Sequence, residues 1–210
     1  MIELLKSKGF ELSENTKVTS LSGGVSCDIC LVEDGTENFV VKQALAKLKV
    51  KQDWFAETNR NMYEQRYLQY LNRILPKYAP KVIASFEHDN LFVMEYLGNN
   101  YRDWKKCLLN KEFNEQTAEL IGDALGLIHK KSWNDPVIAQ QFDSGENFKQ
   151  LRIAPYFETL VEIYPEISAD ILNLCEKIQQ KKQCLVHGDF SPKNILVRKE
   201  VDNGDLGCDS

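Results

Sequence analysis

Leu185-Val186-His187-Gly188-Asp189-Phe190-Ser191-Pro192-Lys193-Asn194-Ile195-Leu196-Val197 is the most informative stretch of this 210-residue sequence. Its apolar ends read as short strands, with a polar loop held between them. Such a loop can aim a carboxylate and, five residues on, an amide at one reacting centre. Asp189 is then placed to accept a hydroxyl proton and Asn194 to hold a magnesium ion, a division of labour that suits phosphoryl transfer. Asp and Asn also close ordinary turns, so the loop takes its meaning from what stands upstream.

Upstream, Leu21 to Val32 and Asn38 to Gln43 are β-favouring runs around the turn-like segment Glu33 to Asn38, which predicts a hairpin. Tyr63, Tyr67, Tyr70, Leu71 and Ile74 recur at helical spacing, predicting one amphipathic helix from about Asp53 to Leu75, closed by Pro76. Lys81 to Phe86 and Leu91 to Glu95 read as two more strands around a polar turn, giving the order strand, strand, strand, helix, strand, strand. Beyond Leu97 the composition changes. Gly98-Asn99-Asn100 is a loop, and most of the chain to residue 183 reads as helical, so a boundary is expected between residues 1–97 and 98–210.

In that second part Ala118, Ile121, Leu125 and Ile128 predict a buried helix, with Gly122 and Gly126 allowing another element to approach closely. Ser168 is expected to cap a helix carrying Ile171, Leu174, Cys175 and Ile178. Leu151 to Tyr164 reads as a weaker helix, broken near Pro155 and Pro165.

Several residues in the first part suit a bound polyphosphate. Gly23-Gly24, within Leu21 to Ser26, lets backbone N–H groups approach phosphate oxygens, although paired glycines are also common in turns. Lys42 ends an apolar strand, where its ammonium needs an anion unless it points into water. Glu57 and Glu64 lie seven residues apart on the predicted helix. Glu64 is the preferred partner, because it precedes Leu68, Leu71 and Leu75 on one stripe.

The pattern H-G-D-x-x-x-x-N resembles the catalytic loop of the aminoglycoside phosphotransferase and choline kinase superfamily, relatives of the protein kinases. Gly188 and Ser191 stand where protein kinases carry Arg and Lys, so the small-molecule branch fits better than protein phosphorylation. The resemblance covers about Leu21 to Val197. It implies an α+β, two-lobe protein-kinase-like fold, with an antiparallel-sheet N-lobe carrying one helix and a mainly helical, incomplete C-lobe. It implies ATP and Mg2+ as cofactors, bound between the lobes, and a small-molecule hydroxyl acceptor. By the same resemblance Asp189 is the catalytic base and Asn194 a metal ligand. Gly23, Gly24, Val25 and Ser26 form the phosphate loop, Lys42 contacts phosphates and Glu64 pairs with it. Met94, Glu95 and Leu97 surround the purine.

The family also carries a metal-binding aspartate on an apolar strand a little over ten residues after the Asn. Here Asp205-Leu206-Gly207 matches only superficially, since Val201 to Gly204 is too polar for that strand. The expectation is therefore a chain truncated before its second metal ligand, binding ATP weakly and transferring phosphate poorly. The alternative is a catalytically inactive nucleotide- or partner-binding relative.

Bulk composition narrows the rest. A net charge of -5 gives no general pull towards nucleic acid or anionic lipid. No apolar run approaches the roughly 20 residues of a membrane helix, and the N-terminus lacks a signal-peptide pattern, so a cytoplasmic location is expected. Six scattered cysteines read as reduced thiols, and Cys27-x-x-Cys30 lacks the further ligands of a zinc site. Nothing in the sequence speaks to oligomeric state.

Overall fold

Val40-Val41 and Leu91-Phe92-Val93 are the most continuous β-favouring apolar runs, and they pair at the centre of a sheet. The computed structural model describes residues 1–21, 26–35, 37–49, 54–76 and 78–198. They form two compact units, one of residues 1–102 with Leu196–Arg198 and one of residues 103–195.

The first unit opens with a short helix, α1 (Ile2–Ser7), followed by β1 (Lys17–Ser20), β2 (Cys27–Asp34), β3 (Glu37–Ala44), helix α2 (Arg60–Ile74), β4 (Val82–Phe86) and β5 (Leu91–Glu95). The strands form an antiparallel sheet in the order β1-β2-β3-β5-β4. The expected order of strands and helix is present, with α1 added in front. The β2–β3 ladder continues through Asp34↔Glu37, so the hairpin turn is shorter than the expected Glu33 to Asn38. Gly35, with φ +64°, supplies the left-handed turn residue.

Side chains alternate across a sheet, and the two faces are covered differently. Val32, Phe39, Val41, Leu91 and Val93 pack with Leu5 of α1, and Met1, Leu4, Phe10 and Leu12 extend that cover. The other face carries Val40, Lys42, Phe92 and Met94, paired Val40↔Met94 and Lys42↔Phe92. Helix α2 packs across β3, β5 and β4, burying Tyr67, Leu68, Tyr70 and Leu71. Cys27 and Cys30 are three apart on β2 and therefore point to opposite faces, which rules them out as a shared ligand pair. The described cysteines carry free thiols.

Helix α2 starts at Arg60, later than the expected Asp53. The preceding backbone is engaged elsewhere: Phe55 bridges Lys47, the Leu48 N–H donates to the Trp54 carbonyl (2.9 Å), and the Ala56 N–H to that of Ala46 (3.1 Å). Those groups serve a β-like return and are not free for a helical ladder.

The second unit contains α3 (Trp104–Leu109), α4 (Glu115–Ser132), α5 (Pro136–Gln141), α6 (Gly145–Phe148), a wide π-type helix at Lys149–Glu158, α7 (Thr159–Ile163) and α8 (Ser168–Gln180). Caps set several starts: the Asn114 side chain accepts the Thr117 N–H, and the Asp135 carboxylate accepts those of Val137 and Ile138 ahead of Pro136. A short strand β6 (Tyr101–Asp103), not foreseen from sequence, pairs with β7 (Leu196–Arg198).

Five expectations for this part change. The α4 stripe is Thr117, Ile121, Ala124 and Ile128, leaving Ala118 exposed. Gly122 and Gly126 have nothing among the described residues within 4 Å of where a Cβ would sit, so they mediate no close approach there. Pro155 does not break its helix, because it sits in the widened i→i+5 segment, where the usual ladder is already interrupted. Ser168 makes no capping bond, since a 3-10 turn at Pro165–Ile167 runs directly into α8. Cys184 to Val186 also form no strand. The Leu185 N–H goes to the Ser132 hydroxyl (2.9 Å) and the neighbouring Gln183 carbonyl to the Asn134 N–H (2.7 Å), tying this segment to the end of α4.

Candidate active site

The loop from His187 to Asn194 is closed by its own polar groups. The Asn194 Nδ2 donates to the Asp189 carbonyl at 2.8 Å, and the Asn194 N–H to the Ser191 carbonyl at 2.9 Å across a 3-10 turn opened by Pro192. The Asp189 N–H donates to His187 Nδ1 at 3.2 Å, and the His187 ring lies edge-on to Phe190. His187 thus works inside the loop, while the Asp189 carboxylate is left facing outward, about a third exposed. The turn-closing role of Asn194 and its proximity to Asp189 are both present, because the amide has two ends. Nδ2 is bonded to the Asp189 carbonyl, and Oδ1 remains as an acceptor.

Two cations meet the same carboxylate oxygen. Lys193 Nζ lies 2.9 Å from Asp189 Oδ2, and Arg152 Nη2 lies 3.2 Å from it. Arg152 also donates through Nε to the Gly188 carbonyl at 2.6 Å. Partial burial pushes the Asp189 carboxyl up, but the Lys193 hydrogen bond, the charges of Arg152 and Lys193 and the Asn194 amide outweigh it. The carboxyl therefore lies below its ordinary value. At neutral pH it is an anion able to accept a hydrogen bond.

In the first unit, Lys42 on β3 forms a half-buried ion pair with Glu64 on α2. Glu57 lies outside α2, and its carboxylate accepts from Asn59 Nδ2 (2.8 Å). Sheet alternation puts Lys42 on the α2 face, and helical periodicity puts Glu64 beside it. Of the glycine turn, Gly23, Gly24 and Val25 lie outside the described residues, as does Asp205. Ser26 is anchored through its carbonyl, which accepts from Arg60 Nη2 (2.6 Å) and from the Leu45 N–H (3.0 Å). Arg60 also reaches the Leu45 carbonyl (2.5 Å), so one guanidinium joins the start of β2, the end of β3 and the start of α2.

Met94 and Glu95 end β5, with Met94 on the same sheet face as Lys42. The Glu95 N–H is bonded to the Lys81 carbonyl at 2.9 Å, and the Glu95 carboxylate accepts the Lys81 N–H at 3.2 Å. Leu97 follows the strand and is partly exposed.

A divalent cation of the magnesium type takes few protein oxygens and completes its shell with water and phosphate. The Asn194 Oδ1 suits such an ion as a hard neutral donor. Among the described residues, no group of three or more His, Cys, Asp or Glu side chains is gathered to hold a metal.

Sequence reasoning missed Arg152, Lys193 and Arg60. Lys193 had a readable signal, standing four residues after Asp189. Arg152 and Arg60 had none, because their partners are distant in sequence.

Residues 17–208 match the model of a phosphotransferase enzyme family. No curated protein sequence matches the chain. Among solved structures it is similar to the choline kinase LicA of Streptococcus pneumoniae (TM-score 0.51, 15% identity, covering 99% of this chain and 66% of that one). It is similar also to a spectinomycin phosphotransferase solved with ADP and spectinomycin (0.53, 16%, 100% and 67%). A third is a choline kinase of Cryptosporidium parvum Iowa II (0.54, 14%, 99% and 63%). The chain spans about two thirds of the length of these structures, and at such identities the likeness is one of fold.

Proposed function

Because the chain belongs to the phosphotransferase enzyme family, we propose that the protein moves the γ-phosphoryl group of ATP to a hydroxyl of a small molecule. Its α+β fold, an antiparallel-sheet unit with one long helix and a mainly helical unit, is that of choline kinases and a spectinomycin phosphotransferase. The observation that carries the reading is the loop in which Asn194 is bonded to the Asp189 carbonyl while the Asp189 carboxylate faces outward as an anion.

In this reading the acceptor oxygen forms a bond to the γ-phosphorus as the bond from that phosphorus to the β–γ bridging oxygen breaks. ADP leaves, and the hydroxyl proton passes to Asp189. Lys42, steadied by Glu64, and the segment Gly23, Gly24, Val25 and Ser26 bind phosphates. Met94, Glu95 and Leu97 receive the purine, the first shaping the pocket and the others through backbone groups. Asn194 would hold a magnesium ion, which would supply charge neutralisation at the phosphates. Residues 1–97 act as the nucleotide-binding lobe and 98–210 as the lobe carrying the base. The ADP bound by the spectinomycin phosphotransferase supports an adenine nucleotide as donor. Among the described residues no helix is long and apolar enough to cross a membrane.

Transfer of label from γ-labelled ATP to a panel of alcohols tests the proposal. A labelled phosphoester that disappears in Asp189→Asn is the expected result. Label transfer only to protein would move the assignment to the protein-kinase branch.

A further inference from the structure

Arg152 reaches the candidate loop from a separate element, the wide helix Lys149–Glu158. Its backbone is fixed there by Ile153, which is 1% exposed. The guanidinium is used on several sides: Nε donates to the Gly188 carbonyl (2.6 Å), Nη1 to the Leu151 carbonyl (2.9 Å), and Nη2 meets Asp189 Oδ2 (3.2 Å). Gly188 has φ +77°, a backbone conformation that glycine adopts readily, and its carbonyl takes its donor from Arg152, 36 residues away in sequence. A planar fork that holds this carbonyl and the following carboxylate together restricts the 188–189 peptide and the Asp189 side chain at once. Lys193 differs. Its side chain is 51% exposed, it belongs to the same loop, and it offers a single nitrogen to the same oxygen, adding charge without a second point of attachment.

We infer that Arg152 is a positioning residue for phosphoryl transfer, clamping the Gly188 carbonyl and the Asp189 carboxylate so that the carboxylate meets the acceptor hydroxyl in one orientation. This rests on the reading of Asp189 as the base. Orientation errors of about 1 Å at a reacting group can lower rates by about a hundredfold, whereas a residue that only supports the fold should not act selectively on the chemical step.

The test is steady-state ADP release from MgATP, with water as acceptor, by the full protein and by Arg152→Ala, Arg152→Lys and Lys193→Met. Calorimetric MgATP affinity is measured in parallel. Arg152→Ala is expected to lower kcat by about tenfold or more with KM and Kd for MgATP unchanged, and millimolar guanidinium should recover part of that loss. Arg152→Lys should stay low, since an ammonium cannot hold both oxygens, and it also serves if the alanine variant fails to fold. Lys193→Met should lose less than either.

Wild-type kcat in both Arg152 variants would overturn the inference. So would a loss shared by MgATP affinity and untouched by guanidinium. A wild-type rate that Asp189→Asn leaves unaltered would instead remove the base assignment, and the role of Arg152 with it.

Discussion

Gly188 sits at φ +77°, where an L side chain is strained whatever the space around it. Among the described residues a Cβ there would meet only the Phe148 ring, at 3.9 Å, an ordinary contact. The cost of Gly188→Ala is therefore a backbone cost of about 1–2 kcal/mol, to be read in urea unfolding; an unchanged midpoint would contradict it. Lys42 and Glu64 make a prediction at the same scale. Hydrogen bonds to charged groups contribute about 1.5–3 kcal/mol, so Lys42→Met should weaken MgATP binding about 10–100-fold. Glu64→Gln, which leaves the ammonium in place but less well held, should weaken it less. Calorimetry ranks the two, and the reverse order would dissociate Lys42 from phosphate binding. The pairing of Lys42 with Glu64 and the closeness of Asn194 to Asp189 were legible because each residue stands at a fixed offset in a loop, strand or helix. Arg152 was not, because its approach depends on a widened helix that no residue periodicity announces.

Among the elements, α1 and the segment that follows it cover one face of the sheet through Leu5, which is fully buried against Val32, Val41, Leu91 and Val93. Leu5→Ala should cost about 2–5 kcal/mol, detectable as a lower thermal or urea midpoint. A near-neutral effect would mean that α1 is not part of the core. The connection from α1 to β1 is pinned at Asp34, whose carboxylate accepts from the Ser13 hydroxyl, the Thr16 hydroxyl (2.9 Å) and the Ser13 N–H (3.2 Å). The Ser13 hydroxyl chiefly, with the Thr16 hydroxyl and the Ser13 N–H, holds this carboxyl below its ordinary 3.8. A depressed folded-state value stabilises above the unfolded value and is lost as pH falls through the folded one. Wild type should therefore unfold later than Asp34→Asn at neutral pH, with the gap closing below about pH 3.8. A gap independent of pH would contradict the assignment.

The strands β3 and β5 and the stripe on α2 were readable from apolar period. The six-residue α1 and three-residue β6 are too short to show one. The start of α2 was misplaced because Trp54, Phe55 and Ala56, though compatible with a helix, give their backbone groups to Lys47, Leu48 and Ala46. Pairing between segments overrode local propensity there, and the same competition left Cys184 to Val186 without a strand partner.

On the scale of the whole molecule, the fold is shared with choline kinases and a spectinomycin phosphotransferase at 14–16% identity. Most of the sequence can therefore vary while the architecture stays, and the fold does not name the acceptor. This chain holds a loop in which a carboxylate and an amide are fixed together, and a lysine paired with a helix glutamate. Steady-state ADP release from MgATP by wild type and Asp189→Asn, with nucleotide affinity measured on both, tests that combination most directly. Turnover in the wild type, reduced about 10²–10⁴-fold in the variant at unchanged MgATP affinity, is the predicted result. Equal turnover in the two proteins, or no binding of MgATP to either, would contradict it.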